Sequence, residues 1–178
     1  MRRHLPRMMA ALLVAVLLLS GWKAARASVR LVRAPSAGER TGLAVARNDP
    51  VRVRPASTLA EVARAERAIV FIYSPDCQVC HANMANWIDL VGELRGGSAA
   101  LHAVAPMQTP AARAYWGGLE RHVRVITATP AEVHTAFGVE NTPITLLLER
   151  GSVRGVVVGA MTAAAREQVR TFARTGTI

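Results

Sequence analysis

Cysteine is almost absent. The 178 residues hold two, Cys77 and Cys80. That excludes a disulfide framework for a domain of this size, so the core must come from apolar packing. A hydrophobic content of 51% permits it. Residues 1–27 lack acidic side chains altogether. Their apolar run, Met8 to Leu19, is 12 residues long, short of the roughly 20 that span a bilayer. Aromatic residues make up 4%, and no basic stretch is interleaved with them, so a nucleic-acid surface is not expected. Internal repeats and low-complexity tracts are missing too, which sets aside solenoid and fibrous classes.

What is present begins with an export pattern. Arg2, Arg3 and Arg7 precede the apolar run, and Ala25-Arg26-Ala27 follows it. A charged segment, a short apolar segment and a small-x-small site in that order read as a signal peptide, cleaved before Ser28. An uncleaved N-terminal anchor, which would keep the protein close to a membrane, is the alternative. Either way a periplasmic or other extracytoplasmic location is expected.

The formal charge of +10 is unevenly spread. Five basic residues fall in 1–27. Residues 28–56 carry six Arg against Glu39 and Asp49, and 57–178 carry eleven Arg against ten acids. The high pI thus belongs to the signal and to a basic N-terminal arm or linker at 28–56, rich in Pro, Gly and Ser. Residues 57–178 form one domain.

Within the arm, Val29/Leu31 and Val51/Val53 alternate with Arg, a pattern for short edge strands. Leu59 to Arg67 reads as a short helix capped by Ser57 or Thr58. Ala68 to Tyr73 is a continuous apolar run of strand length, as in a buried central strand. Met84, Trp87, Ile88, Val91 and Leu94 recur at helical spacing and predict a helix over 77–94, ended by Gly96-Gly97. Further strands are expected at 99–104, 123–126, 144–148 and 153–158, the last two as a hairpin turning at 149–152. Helices are expected at 110–119, at 130–137 with Thr129 as cap and Pro130 first, and at 163–173. The order predicts an α/β fold, a central mixed β-sheet flanked by helices.

The chemistry lies in Cys77-Gln78-Val79-Cys80-His81. Three readings share these residues. As a redox couple, the two sulfurs sit one helical turn apart at a helix start. Orphan N–H groups and the positive end of the macrodipole there favour a Cys77 thiolate. Cys80 then resolves the mixed disulfide. Asp76 can cap the helix, but its charge opposes the thiolate. As CxxCH, the motif could instead attach haem, with His81 as axial ligand and Met84, Met107 or Met161 opposite. Met84 lies on the His81 face and cannot reach the far side. A zinc clip would need two more ligands from His81, His102, His122 and His134, none spaced as a finger pair.

Downstream, Phe137-Gly138-Val139-Glu140-Asn141-Thr142-Pro143, Ile144 to Leu148, Gly151 and Val158-Gly159-Ala160 follow in an order that resembles the C-terminal half of a thioredoxin. The resemblance spans roughly residues 58–175. It implies the thioredoxin fold, with Pro143 as the cis proline facing the CxxC and Thr142 presenting backbone to a bound thiol substrate. Extra length around 106–122 resembles the element that exported TlpA/ResA-type thioredoxins insert between the CxxC helix and the cis-proline loop. The acid that thioredoxins bury on the central strand falls here on Phe71. The acid that many ResA-like reductants carry after the second cysteine falls on Asn83.

The resemblance therefore implies an exported thiol–disulfide oxidoreductase. Cys77 and Cys80 would be catalytic, Thr142 and Pro143 would bind substrate, and Asp76, Gln78, Val79 and His81 would tune the couple. No metal and no cofactor beyond a Cys77–Cys80 disulfide is expected. The expected partners are thiol- or disulfide-bearing envelope proteins and a membrane redox partner, not nucleic acid. A reductase or isomerase direction is favoured over a primary oxidant. A c-type haem protein and a non-catalytic binding module on the same scaffold are the alternatives.

Overall fold

The computed structural model describes residues 46–107 and 110–178. The expected signal segment, the arm up to residue 45 with its Val29/Leu31 alternation, and Thr109 lie outside the described residues.

Five strands form one sheet in the order β3-β2-β1-β4-β5. These are β1 (Arg67–Ile72), β2 (Ala100–Ala105), β3 (Arg124–Thr127), β4 (Ile144–Glu149) and β5 (Ser152–Val158). β1 runs parallel to β2 and antiparallel to β4, so the sheet is mixed. The reason β1 is central is its composition. Ala68 to Ile72 are all fully buried, which only a strand covered on both faces can be.

Alternation along β1 sorts the core into two layers. Ile69 and Phe71 pack with Trp87, Leu90 and Phe172, beneath α2 (Gln78–Leu94) and α5 (Ala163–Thr175). Ala68, Val70 and Ile72 pack with Leu59, Val62, Val133 and Phe137, beneath α1 (Ala60–Arg64) and α4 (Pro130–Phe137). Each large apolar side chain removed from water contributes about 1.5–3 kcal/mol.

α4 follows its sequence signals closely. Thr129 Oγ1 accepts the Glu132 N–H at 3.2 Å, the Glu132 carboxylate accepts the Thr129 N–H at 2.8 Å, and Gly138 closes the helix at φ 61°. The capping box and left-handed glycine satisfy groups at both ends. At the hairpin, Arg150 and Gly151 have φ of 48° and 72°, the two left-handed residues a tight I′ turn requires.

Three expectations need correction. α1 is shorter than Leu59–Arg67 and neither Ser57 nor Thr58 caps it. Ser57 Oγ instead accepts the N–H of Leu59, the N-cap itself, at 3.2 Å, two residues too early. Glu66 and Arg67 are drawn into sheet pairing with Arg150 and Glu149. The helix expected over 110–119 is α3 (Pro110–Ala114) followed by a 3-10 turn at Gly117–Arg121. Gly117 at φ 50° breaks it, while Tyr115 and Trp116 turn into the aromatic core. Finally, Val51 and Val53 make no strand. Pro50, which has no N–H to give, forms a single bridge to Ser152. Bonds from Asn48 N–H to Val153 C=O (2.6 Å), Val153 N–H to Asp49 C=O (2.9 Å) and Val51 N–H to Gly151 C=O (2.7 Å) tie this segment to the start of β5. No helix of the described residues is long and apolar enough to cross a membrane.

His102 on β2 is 6% exposed, and neither ring nitrogen has a hydrogen-bond partner. Burial holds its pKa below the usual imidazole value; Glu61 opposes that shift and Arg124 adds to it. The native state therefore keeps His102 neutral, while the unfolded chain takes up a proton as pH falls through ~6.5. Stability is lost on the acid side, by at most ~1.4 kcal/mol per pH unit for one such group. Urea unfolding at pH 7.5 and pH 5.5 should show a smaller acid loss for His102→Val than for wild type. Equal losses would remove His102 from the account.

Candidate active site

The site is built where β1 ends and α2 begins. Cys77 itself is the N-cap of α2: its Sγ accepts the Cys80 N–H at 3.2 Å. Asp76 does not cap the helix. It is exposed, and its backbone N–H turns back to Ser74 Oγ at 3.3 Å. The cysteine sulfur has taken the acceptor position that a carboxylate one residue earlier cannot fill.

Cys77 is half-buried, and its Sγ lies 3.5 Å from the Thr142 carbonyl oxygen, to which it donates as a thiol. The Thr142–Pro143 peptide is cis. The fold thus brings together Cys77, Cys80 and Thr142, which lies 65 residues from Cys77 in the chain. Burial pushes the Cys77 thiol up. Hydrogen bonds from the Cys80 thiol, the Cys80 N–H, Thr142 and the Val79 N–H outweigh it, and the net shift is downward. Cys80 is fully buried. Burial first, then the bond to Cys77 and, least, the charge on Cys77 push its thiol up to about 11, with bonds from Ser74 and Thr142 opposing. The pair is asymmetric: an accessible sulfur that ionises easily, and a buried one that holds its proton. That asymmetry suits attack by the first and resolution by the second.

Gln78, Val79 and His81 are exposed. His81 Nε2 lies 2.6 Å from the Pro75 carbonyl oxygen, and its ring lies 5.1 Å from Tyr115. The imidazole is held at the helix shoulder rather than turned inward to Cys80. The buried Cys80 sulfur and the engaged His81 nitrogen fit haem attachment poorly. Among the described residues, no group of three or more His, Cys, Asp or Glu is placed to hold a metal.

Sequence reasoning missed the aromatic wall of the site. Tyr73, the residue after β1, donates its hydroxyl to the Ala112 carbonyl and so ties α3 to the end of β1. Tyr115 stacks on Tyr73 at 5.0 Å and 22°. Trp116 stacks on Trp87 at 5.8 Å and packs on Phe71 at 5.6 Å. The adjacent Tyr115-Trp116 pair, in a chain with few aromatics, was the available signal. Phe71, standing where the resemblance would place an acid, belongs to this wall. Asn83 is buried as a tie: its Oδ1 accepts the Met161 N–H at 2.9 Å and joins α2 to the start of the α5 segment. Beside the cis-proline loop lies a mainly apolar groove of about 500 Å³, lined by Ile72, Ser74, Pro106, Val139, Glu140 and Thr142 among others.

No family model and no curated protein matches the chain. Solved structures do. The thioredoxin domain of a thiol–disulfide oxidoreductase from Bacteroides vulgatus superposes with a TM-score of 0.58 at 8% identity, covering 73% of this chain and 99% of that one. A thiol:disulfide interchange protein of the thioredoxin family from Chlorobium tepidum gives 0.55 at 19%, covering 73% and 99%. A thio-disulfide isomerase from Thermus thermophilus gives 0.52 at 19%, covering 72% and 97%. The chain has the thioredoxin fold, as its sheet order and flanking helices require.

Proposed function

We propose that this chain is an exported thiol–disulfide oxidoreductase that reduces or isomerises disulfides of envelope proteins. The observation that carries the reading is the asymmetry of the couple, with the Cys77 thiol lowered at the helix N-cap and the Cys80 thiol buried and raised. The Cys77 thiolate attacks a client disulfide, and one client sulfur leaves and takes a proton. Cys80 then attacks Cys77 Sγ, the client's second sulfur leaves, and a Cys77–Cys80 disulfide remains. Two electrons pass to the client. A dithiol on a membrane redox partner would restore the couple.

Thr142 and Pro143 would line the client segment, and the neighbouring groove offers it apolar contact. The reductase or isomerase direction is the one in which a Cys77 thiolate acts as the attacking group on a client disulfide. Gln78 and Val79, both open to solvent, would set the remaining difference. The signal-like N-terminus supports an extracytoplasmic setting, and the activities named for the similar structures support the oxidoreductase reading.

A Cys80→Ser variant expressed in intact cells should accumulate mixed disulfides through Cys77, visible as dithiothreitol-sensitive bands that vanish in the double serine variant. With no such bands, and no insulin reduction by the purified wild type, the chain is not an oxidoreductase.

A further inference from the structure

The hydroxyl of Tyr115 is buried and has no hydrogen-bond partner. An unpaired buried hydroxyl costs about 1–3 kcal/mol, so its persistence calls for a reason. Its position supplies one. The ring is held between Tyr73 at 5.0 Å and His81 at 5.1 Å, the residues that flank Ser74–Cys80 on either side in the chain. The phenol is also close enough to the two cysteines for their charge to act on it. Around it stand Cys77 at the N-cap of α2, Cys80 and His81 in its first turn, and Tyr73 just after β1, with Arg113 of α3 acting on Tyr73. Where the resemblance would place a relay acid, the chain has Phe71 and Asn83.

We propose that Tyr115 is the hydrogen-bond donor that supports the charge developing on Cys80 as it resolves the mixed disulfide. This rests on the oxidoreductase reading above. In that step Cys80 Sγ bonds to Cys77 Sγ and the bond from Cys77 to the client sulfur breaks. The Cys80 proton ends on the departing client sulfur, and the Cys77–Cys80 pair is oxidised as the client is reduced. Tyr115 keeps its own proton throughout. Burial first, and then negative charge on Cys80 and Cys77, hold the phenol well above its usual range, so it remains a neutral donor at any physiological pH. A hydrogen bond to an ionised group is worth more than one to a neutral group, so the donor acts on the resolving step rather than on the resting thiol.

The test isolates that step. Cys77 is loaded with thionitrobenzoate from Ellman's reagent, and release of the chromophore by Cys80 is followed by stopped flow from pH 5 to 10. Tyr115→Phe keeps the ring and its stacking and removes one oxygen. It should slow release about tenfold near pH 7 and move the alkaline rise upward by about one pH unit. Alkylation of Cys77 in a Cys80→Ser background, and the thermal midpoint, should stay close to wild type. Release by Tyr115→Phe at the wild-type rate and with the wild-type profile would overturn the proposal. So would an equal slowing at every pH with a lowered midpoint, which marks a packing role. If the wild-type adduct releases no chromophore at all, Cys80 does not resolve and the oxidoreductase reading itself falls.

Discussion

Cys77→Ser should abolish disulfide reduction, a loss of at least about a thousandfold in insulin turnover, because a serine hydroxyl is not ionised where the cysteine is. Alkylation with iodoacetamide checks the cause. In wild type, Cys77 should reach its plateau rate at a lower pH than an ordinary cysteine, as its lowered pKa requires. In Cys77→Ser the remaining thiol is Cys80, and burial alone should keep it slow. Its rise should come below pH 11, since the Cys77 sulfur that helped to raise it is gone. Substantial turnover in Cys77→Ser, or fast alkylation of its Cys80, would reverse the assignment of attacking and resolving sulfurs.

The second large effect is on stability. Trp87 is fully buried, stacks on Trp116 at 5.8 Å, lies 5.5 Å from Phe71, and donates its indole N–H to Thr145 Oγ1 at 3.3 Å. Trp87→Ala removes all of this at once. It should cost about 3–5 kcal/mol, a large share of the roughly 5–15 kcal/mol a domain possesses, and lower the thermal midpoint by about 10–15 °C. The loss should also reach the site, because Trp116 anchors the segment that carries Tyr115. Urea titration read by far-UV dichroism gives the first effect, and the chromophore-release rate the second. A midpoint within a degree or two of wild type would mean that the aromatic wall does not hold the fold together.

Much of the architecture was legible because local and tertiary preferences agree. Ala68 to Tyr73 could be little else than a buried strand, and Thr129-Pro130 with Glu132 and Gly138 wrote both ends of α4. The CxxC at a helix start could be placed from its context, and the Thr142–Pro143 bond facing it from the resemblance to thioredoxins. The misreadings occur where a long-range contact overrides a local signal. Asp76 is a good N-cap by composition, yet the Cys77 sulfur sits one residue closer to the free N–H groups. The stretch from Pro110 to Leu119 has helical periodicity, but two aromatic side chains gain more by entering the core than by staying on a helix that Gly117 already weakens. No local pattern says that Tyr115 will meet Tyr73 and His81.

The bonds of Asn48 and Val51 to the start of β5 have a mechanical meaning. Ser152 and Glu149 share one end of the sheet with Arg67, and Ile144 and Val158 share the other with Ile72, just before the cysteines. The segment from Asn48 to Val51 is thus moored at the pole opposite the sulfurs, about 20 Å away across a six-residue strand. Any pull on that segment would load the β4–β5 hairpin before it could disturb Cys77 and Cys80 at the far end of the sheet.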